Sequence, residues 1–158
     1  MSQQDGVVHS AIVAGPIDLG RLYERVQASG IGAVSMFVGT VRDVNEGRSV
    51  TGMDYEAYES MAASELRAVA SEVCAQMPDL RVALEHRVGT LALGEASVVI
   101  AAAHPHRGPA IEGARQIIEA LKHRVPIWKR EHYVDGERAW VDPTASRARA
   151  SRPPVGDA

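Results

Sequence analysis

The order of apolar periodicities constrains this chain most. Runs at Val7–Val13, Ala33–Val41, Val50–Tyr58, Leu80–Val88 and Ala96–Ala103 have strand length and strand composition. Three other segments, Asp18 to Ala28, Ser60–Met77 and His106–Arg124, repeat apolar residues at helical spacing. These elements do not alternate strand for helix. An α+β fold with a mixed or antiparallel sheet and about three helices therefore fits better than a doubly wound parallel sheet.

Local signals set the boundaries. Asp18 can N-cap the first helix, with Leu19, Leu22 and Val26 on one side and Gly30 at its end. Ala33–Val41 is Val-rich and reads as a buried strand, Asp43–Gly47 as a loop, and Val50–Tyr58 as a strand pairing back on Ala33–Val41. The second helix presents Leu66, Val69, Val73 and Met77 and stops at Pro78. Leu80–Val88 and Ala96–Ala103 are joined by a turn holding Gly89 and Gly94. The third helix carries the stripe Ile111, Ala114, Ile118 and Leu121 and ends before Pro126. Ile127–Val134 and Arg138–Val141 then flank a turn at Asp135-Gly136.

At 158 residues and 46% hydrophobic, the chain is long enough for one domain with a real core, placed at 1–143. No 18-residue apolar run and no basic, apolar leader occur, so a cytoplasmic protein is expected. The end, 144–158, carries Arg147, Arg149, Arg152 and Pro153-Pro154 and is expected to be flexible, with a basic docking arm as the alternative. Cys74 is the only cysteine, which excludes a disulfide framework and a Cys-rich zinc site; it reads as a core thiol. A net charge of −3 argues against a general nucleic-acid binder.

That total hides an uneven distribution. His104–Val134 holds six basic residues against three acidic ones, a formal +3, leaving −6 for the rest. Four of six histidines also lie there: His104, His106, His123 and His132. Such a patch favours an anionic ligand. His106 and Arg107 begin the third helix, where free N–H groups attract anions. Arg115 and Lys122, seven apart, project from nearly the same side. A solvated helix face, with Glu119 neutralising Arg115 or Lys122, is the plainer alternative. The chain has fifteen arginines and two lysines, and both lysines, Lys122 and Lys129, lie in this segment. Only lysine offers a titratable amine. Lys129 follows Trp128 after the Pro126 break, so burial could lower its pKa and suit it to proton transfer or attack, or its stem could simply cover the indole.

Other candidates are weaker. Arg42, at the end of a strand and before Asn45 and Gly47, could clamp a phosphate, though no nucleotide P-loop is present. Asp54, Glu56, Glu59 and Glu65 read as a solvated acidic face. His104-Pro105-His106 has no further ligand at zinc spacing, so no metal is expected.

Several blocks combine into a recognisable order: Phe37-Val38-Gly39-Thr40-Val41-Arg42-Asp43; Tyr55-Glu56-Ala57-Tyr58 with Met61-Ala62; His86-Arg87-Val88-Gly89 with Gly94-Glu95; His106-Arg107; and Leu121-Lys122 through Val125-Pro126-Ile127-Trp128-Lys129-Arg130-Glu131. Over about residues 7 to 142 the chain resembles the catalytic, large-subunit family of molybdopterin synthase. Ile111, where the family often has an aromatic, and Pro109 in the third helix's first turn depart from it.

The resemblance implies an α/β-hammerhead-like fold with a small additional β subdomain. It implies a sulfurtransferase without a cofactor of its own. Such an enzyme moves sulfur from the C-terminal Gly-Gly thiocarboxylate of a small ubiquitin-like subunit onto cyclic pyranopterin monophosphate, giving the molybdopterin dithiolene of the molybdenum cofactor. It further implies a homodimer within a heterotetramer, each site borrowing residues across the dimer interface. Arg42, His106 and Arg107 would hold phosphate and pterin. Lys122 would sit by the donor carbonyl, and Lys129 would bind substrate and shuttle protons. The competing expectation is a non-catalytic anion-binding scaffold that docks an acidic partner.

Overall fold

The computed structural model of the chain describes residues 5–141. The expected flexible end, 144–158, lies outside the described residues. The order of elements is β1 (Val7–Val13), α1 (Leu19–Val26), β2 (Ala33–Thr40), β3 (Val44–Asn45), β4 (Arg48–Ala57), α2 (Glu59–Gln76), β5 (Arg81–Arg87), β6 (Gly89–Ala92), β7 (Ala96–His104), α3 (Arg107–Arg124), β8 (Ile127–Tyr133) and β9 (Arg138–Val141). The α+β class, with three helices, is as expected.

Two sheets share the strands. The first runs β1-β5-β7-β2. It is mixed, because β1 pairs parallel with β5 while β7 pairs antiparallel with both β5 and β2. α2 and α3 cover one face, where Leu66, Val69, Leu84, Ile100 and Ile117 are buried. α1 covers part of the other with Leu22 and Val26 against Ala83, Val99 and Ala101. Asp18 caps α1 as its sequence suggests, its carboxylate accepting from the Arg21 backbone N–H at 3.1 Å. Each such large side chain removed from water contributes roughly 1.5–3 kcal/mol.

The second sheet is antiparallel: β3-β4-β8-β9, with β6 added on the other side of β4. The small additional β subdomain is thus a five-stranded sheet. Here the expected pairing is corrected. β4 pairs with β8 and β6, not with Ala33–Val41, whose partner is β7. The expected buried strand is also corrected: β2 is an edge strand with no strand partner on its outer side among the described residues, and is only half-buried. The Asp43–Gly47 loop contains β3, and the expected Gly89–Gly94 turn contains β6. Between β5 and β7 the chain leaves the first sheet, adds β6 to the second, and returns. Gly89 (φ +99°) and Gly94 (φ +80°) make the two corners, in a region that disfavours side chains.

α3 is rotated from the expected stripe. Ile111 is 58% exposed, while Ala110, Gly113, Ala114, Ile117, Ile118 and Leu121 are buried. The reason is a close approach: a Cβ on Gly113 would lie 2.9 Å from Leu80 Cδ2, so the small residues, not Ile111, face inward. Pro109 sits in the first turn, where its missing N–H has no intrahelical partner to lose.

Candidate functional site

Where the two sheets and the end of α3 meet there is a cavity of about 280 Å³. Its floor is apolar, from Phe37, Val98, Ile118 and Leu121, and its rim is cationic, from Arg42, Lys122 and Lys129. Three distant segments supply these cations. Arg42 follows β2, Lys122 stands in the last turn of α3, and Lys129 projects from β8. Pro126 makes this possible: it ends the helix at Val125 and lets β8 turn back along β4.

Strand alternation decides what faces the cavity. Lys129 stands directly opposite Tyr55 in the β4–β8 ladder, and Glu131 opposite Met53. Lys129 is therefore not stacked beside Trp128, which turns to the other face and meets the Tyr58 ring edge-on at 5.1 Å. Lys129 Nζ lies 3.8 Å from Glu131 Oε1. Burial lowers the Lys129 pKa; Glu131 opposes this, and Lys122 and Arg42 add to the lowering. Arg115 is tied to Glu112 by a 2.6 Å ion pair, whereas Lys122 has no ion pair among the described residues.

Further polar groups complete the wall. Glu131 is 1% exposed and accepts from Tyr133 Oη at 2.8 Å and Asn45 Nδ2 at 2.7 Å. His86 is buried, which pushes its pKa down to about 4, so the ring is neutral near pH 7. Its Nδ1 lies 2.8 Å from the Arg87 carbonyl, and that carbonyl can only accept, so the proton is on Nδ1. Its ring meets Tyr55 edge-on at 5.3 Å. Burial raises the Tyr55 pKa, and its hydrogen bond with Ser97 works against the rise.

Not every sequence candidate reaches this cavity. His106 and Arg107 are exposed at the start of α3, sixteen residues or about 24 Å from its Lys122 end. His104 uses both ring nitrogens structurally, Nδ1 accepting from the His106 N–H at 3.0 Å and Nε2 facing the Pro78 carbonyl at 3.0 Å. Among the described residues no cluster of three His, Cys, Asp or Glu could hold a metal. The acidic face is corrected in part: Glu56 and Glu59 are exposed as expected, but Asp54 is buried against Arg130 and His132, and Glu65 pairs with Arg124 at 3.2 Å. Cys74 is half-buried, and burial pushes its thiol up to about 12.

Asn45, His86, Ser97 and Glu131 were given no site role from the sequence. Glu131 was legible in principle, since Lys129-x-Glu131 puts both groups on one strand face. Asn45 and Ser97 carried no signal, because only tertiary pairing brings them in.

The fold and the cation-rimmed cavity define an α+β protein that brings a guanidinium and two amines to one cavity. Comparison with known proteins specifies it further. The MoaE protein family matches residues 12–124. The molybdopterin synthase catalytic subunit of Halalkalibacterium halodurans is 41% identical over 131 residues, covering 83% of each chain. That of Drosophila willistoni is 44% identical over 126 residues, 79% of this chain. The present chain spans about a third (34%) of that fly protein's length. The crystal structure of molybdopterin synthase from Staphylococcus aureus, 33% identical, superposes with a TM-score of 0.80 over 84% of this chain and 96% of its own. A chain from the protein–protein complex of subunits 1 and 2 of molybdopterin-converting factor of Helicobacter pylori, 22% identical, shares the fold with a TM-score of 0.69. The chain belongs to the MoaE family.

Proposed function

We propose that the protein is the catalytic large subunit of molybdopterin synthase, with residues 1–143 as its single working domain. It takes sulfur from the C-terminal thiocarboxylate of a small ubiquitin-like carrier and places it on cyclic pyranopterin monophosphate to form the dithiolene. The observation that carries this reading is the convergence of Arg42, Lys122 and Lys129 on one cavity where, among the described residues, Glu131 is the only wall carboxylate. Both reactants are anionic, one a cyclic phosphate and one a thiocarboxylate, and such a cavity attracts both. Its narrow apolar floor suits the threading of a glycine-ended tail.

In this reading Arg42 holds the phosphate by paired N–H donors. Lys122, without an ion pair among the described residues, stabilises charge at the carrier's terminal carbonyl. Once the sulfur has bonded to the pterin, its neutral amine can attack that carbonyl, the C–S bond breaking to leave the sulfur on the pterin and the carrier held as an amide that water then hydrolyses. Lys129, buried beside Glu131, binds substrate and passes a proton as sulfur adds and the cyclic phosphate opens. His106 and Arg107 lie too far along α3 to serve the cavity of their own chain. They can act only if a second copy presents them, in keeping with a homodimer flanked by two carrier subunits. No helix of the described residues is long and apolar enough to cross a membrane; the cytoplasm is the compartment we propose for this reaction.

The test is direct. The purified protein is incubated with thiocarboxylated carrier and cyclic pyranopterin monophosphate, and dithiolene product is detected. Turnover that depends on the carrier is expected. Carrier binding without product would instead indicate a scaffold, and product without carrier another enzyme class.

A further inference from the structure

Asn45 lies between two groups of opposite charge. Arg42 Nη2 donates to Asn45 Oδ1 at 3.1 Å, and Asn45 Nδ2 donates to Glu131 Oε1 at 2.7 Å. Chemistry fixes the orientation of this amide. A guanidinium only donates and a carboxylate only accepts, so a flipped amide would lose both bonds. The anchor on one side is rigid: Glu131 is buried in β8, and its other oxygen accepts from Tyr133 at 2.8 Å. The backbone of Asn45 is fixed as well, paired with Arg48 in the β3–β4 hairpin.

Arg42, by contrast, is exposed and makes no other side-chain hydrogen bond among the described residues. With the amide removed, the side chain that links this guanidinium to the buried carboxylate, and occupies the carboxylate oxygen, is gone. Arginine and carboxylate pair readily through two parallel hydrogen bonds. That pairing would turn Arg42 away from the cavity and draw Glu131 from Lys129.

We propose that Asn45 is a positioning residue that holds Arg42 toward the cavity and off Glu131, leaving the guanidinium's remaining N–H groups for the anionic substrate. This role rests on the sulfur-transfer reading for its substrate but not for its geometry. It differs from a direct substrate contact, because Asn45 acts through Arg42.

The experiment pairs kinetics with a crystal structure of the unliganded variant. Asn45→Ala is made in the native and the Arg42→Ala backgrounds. In the native background KM for the cyclic pterin should rise roughly tenfold while kcat changes less than about threefold, the size expected for a misplaced charge-assisted hydrogen bond. In the Arg42→Ala background the same change should add less than about twofold, because the residue it positions is gone. The crystal structure should show Arg42 turned onto Glu131. Equal losses in both backgrounds, a fall in kcat at constant KM, or an Arg42 that keeps its place would each overturn the role. If the native protein forms no dithiolene, the functional reading fails, and the Arg42 position in the variant crystal alone decides the inference. Should Asn45→Ala not fold, Asn45→Ser, too short to bridge, gives the same readouts.

Discussion

On the cavity face of β8, Lys129 stands 3.8 Å from Glu131, and neither Arg42 nor Lys122 has a carboxylate partner among the described residues. On the opposite face, Arg130 donates twice to Asp54 Oδ2 at 2.9 and 2.5 Å, His132 Nε2 lies 2.8 Å from the same oxygen, and Thr90 donates to Asp54 Oδ1 at 2.8 Å. Arg130 also lies over the Trp140 ring, 5.1 Å from its centroid. One strand thus presents charge in two conditions. Where the partners are close and numerous, charge is neutralised and fixes the sheet. Where cations outnumber a single distant carboxylate, charge stays available to a ligand.

The comparison breaks most clearly at the lysines. Lys129→Ala and Lys122→Ala should each lower the rate of dithiolene formation by a factor on the order of 10² to 10⁴, the range for a positioned proton-transfer group. Lys122→Arg keeps charge without a titratable amine. Full activity in that variant would show that Lys122 supplies charge alone.

A change on the other face should move stability instead. Burial by itself would raise the Asp54 pKa, but the close contact of His132 Nε2 and the hydrogen bonds from Arg130 and Thr90 outweigh it and hold the carboxyl at about 2. A depressed folded-state pKa stabilises above the unfolded value near 3.9, and that contribution is lost as pH falls from about 4 through about 2. Asp54→Asn should therefore remove about 2 kcal/mol at pH 7, seen as a lower Tm, and flatten the acid limb of the stability profile. Native kcat would accompany it. A loss of turnover without a loss of Tm would mean that the two faces are not separate.

The finest distinction is within the cavity. Glu131 raises the Lys129 pKa against burial, so Glu131→Gln should lower it further. With only two lysines in the chain, an NMR titration of labelled side-chain amines resolves each one. An unmoved Lys129 titration would show that the 3.8 Å contact has no electrostatic effect.

Much of this molecule was legible from local pattern. β1 has the expected bounds, Asp18 caps α1, and Pro78 and Pro126 follow α2 and α3 as breakers should. Local pattern misled where contact was non-local. Adjacent runs suggested that β4 pairs with β2, yet β2 Ala33 faces His104 and β4 Ala57 faces Ile127, about seventy residues along in each case. Counting charge along the chain merged His106 and Lys122 into one patch, although a straight helix holds its two ends apart. Asp54 looked solvated because its basic partners, Arg130 and His132, lie on a strand far along the sequence.

The sequence by itself determined the periods, the breakers and the chemistry on offer: two amines in an arginine-rich chain, near a helix end and a proline. Those properties depend on neighbouring residues and are written locally. The tertiary structure decided which charges are neutralised and which are left open. That choice depends on distances of a few ångströms between segments remote in sequence, and on which side of β8 each residue falls once β4 has fixed its register.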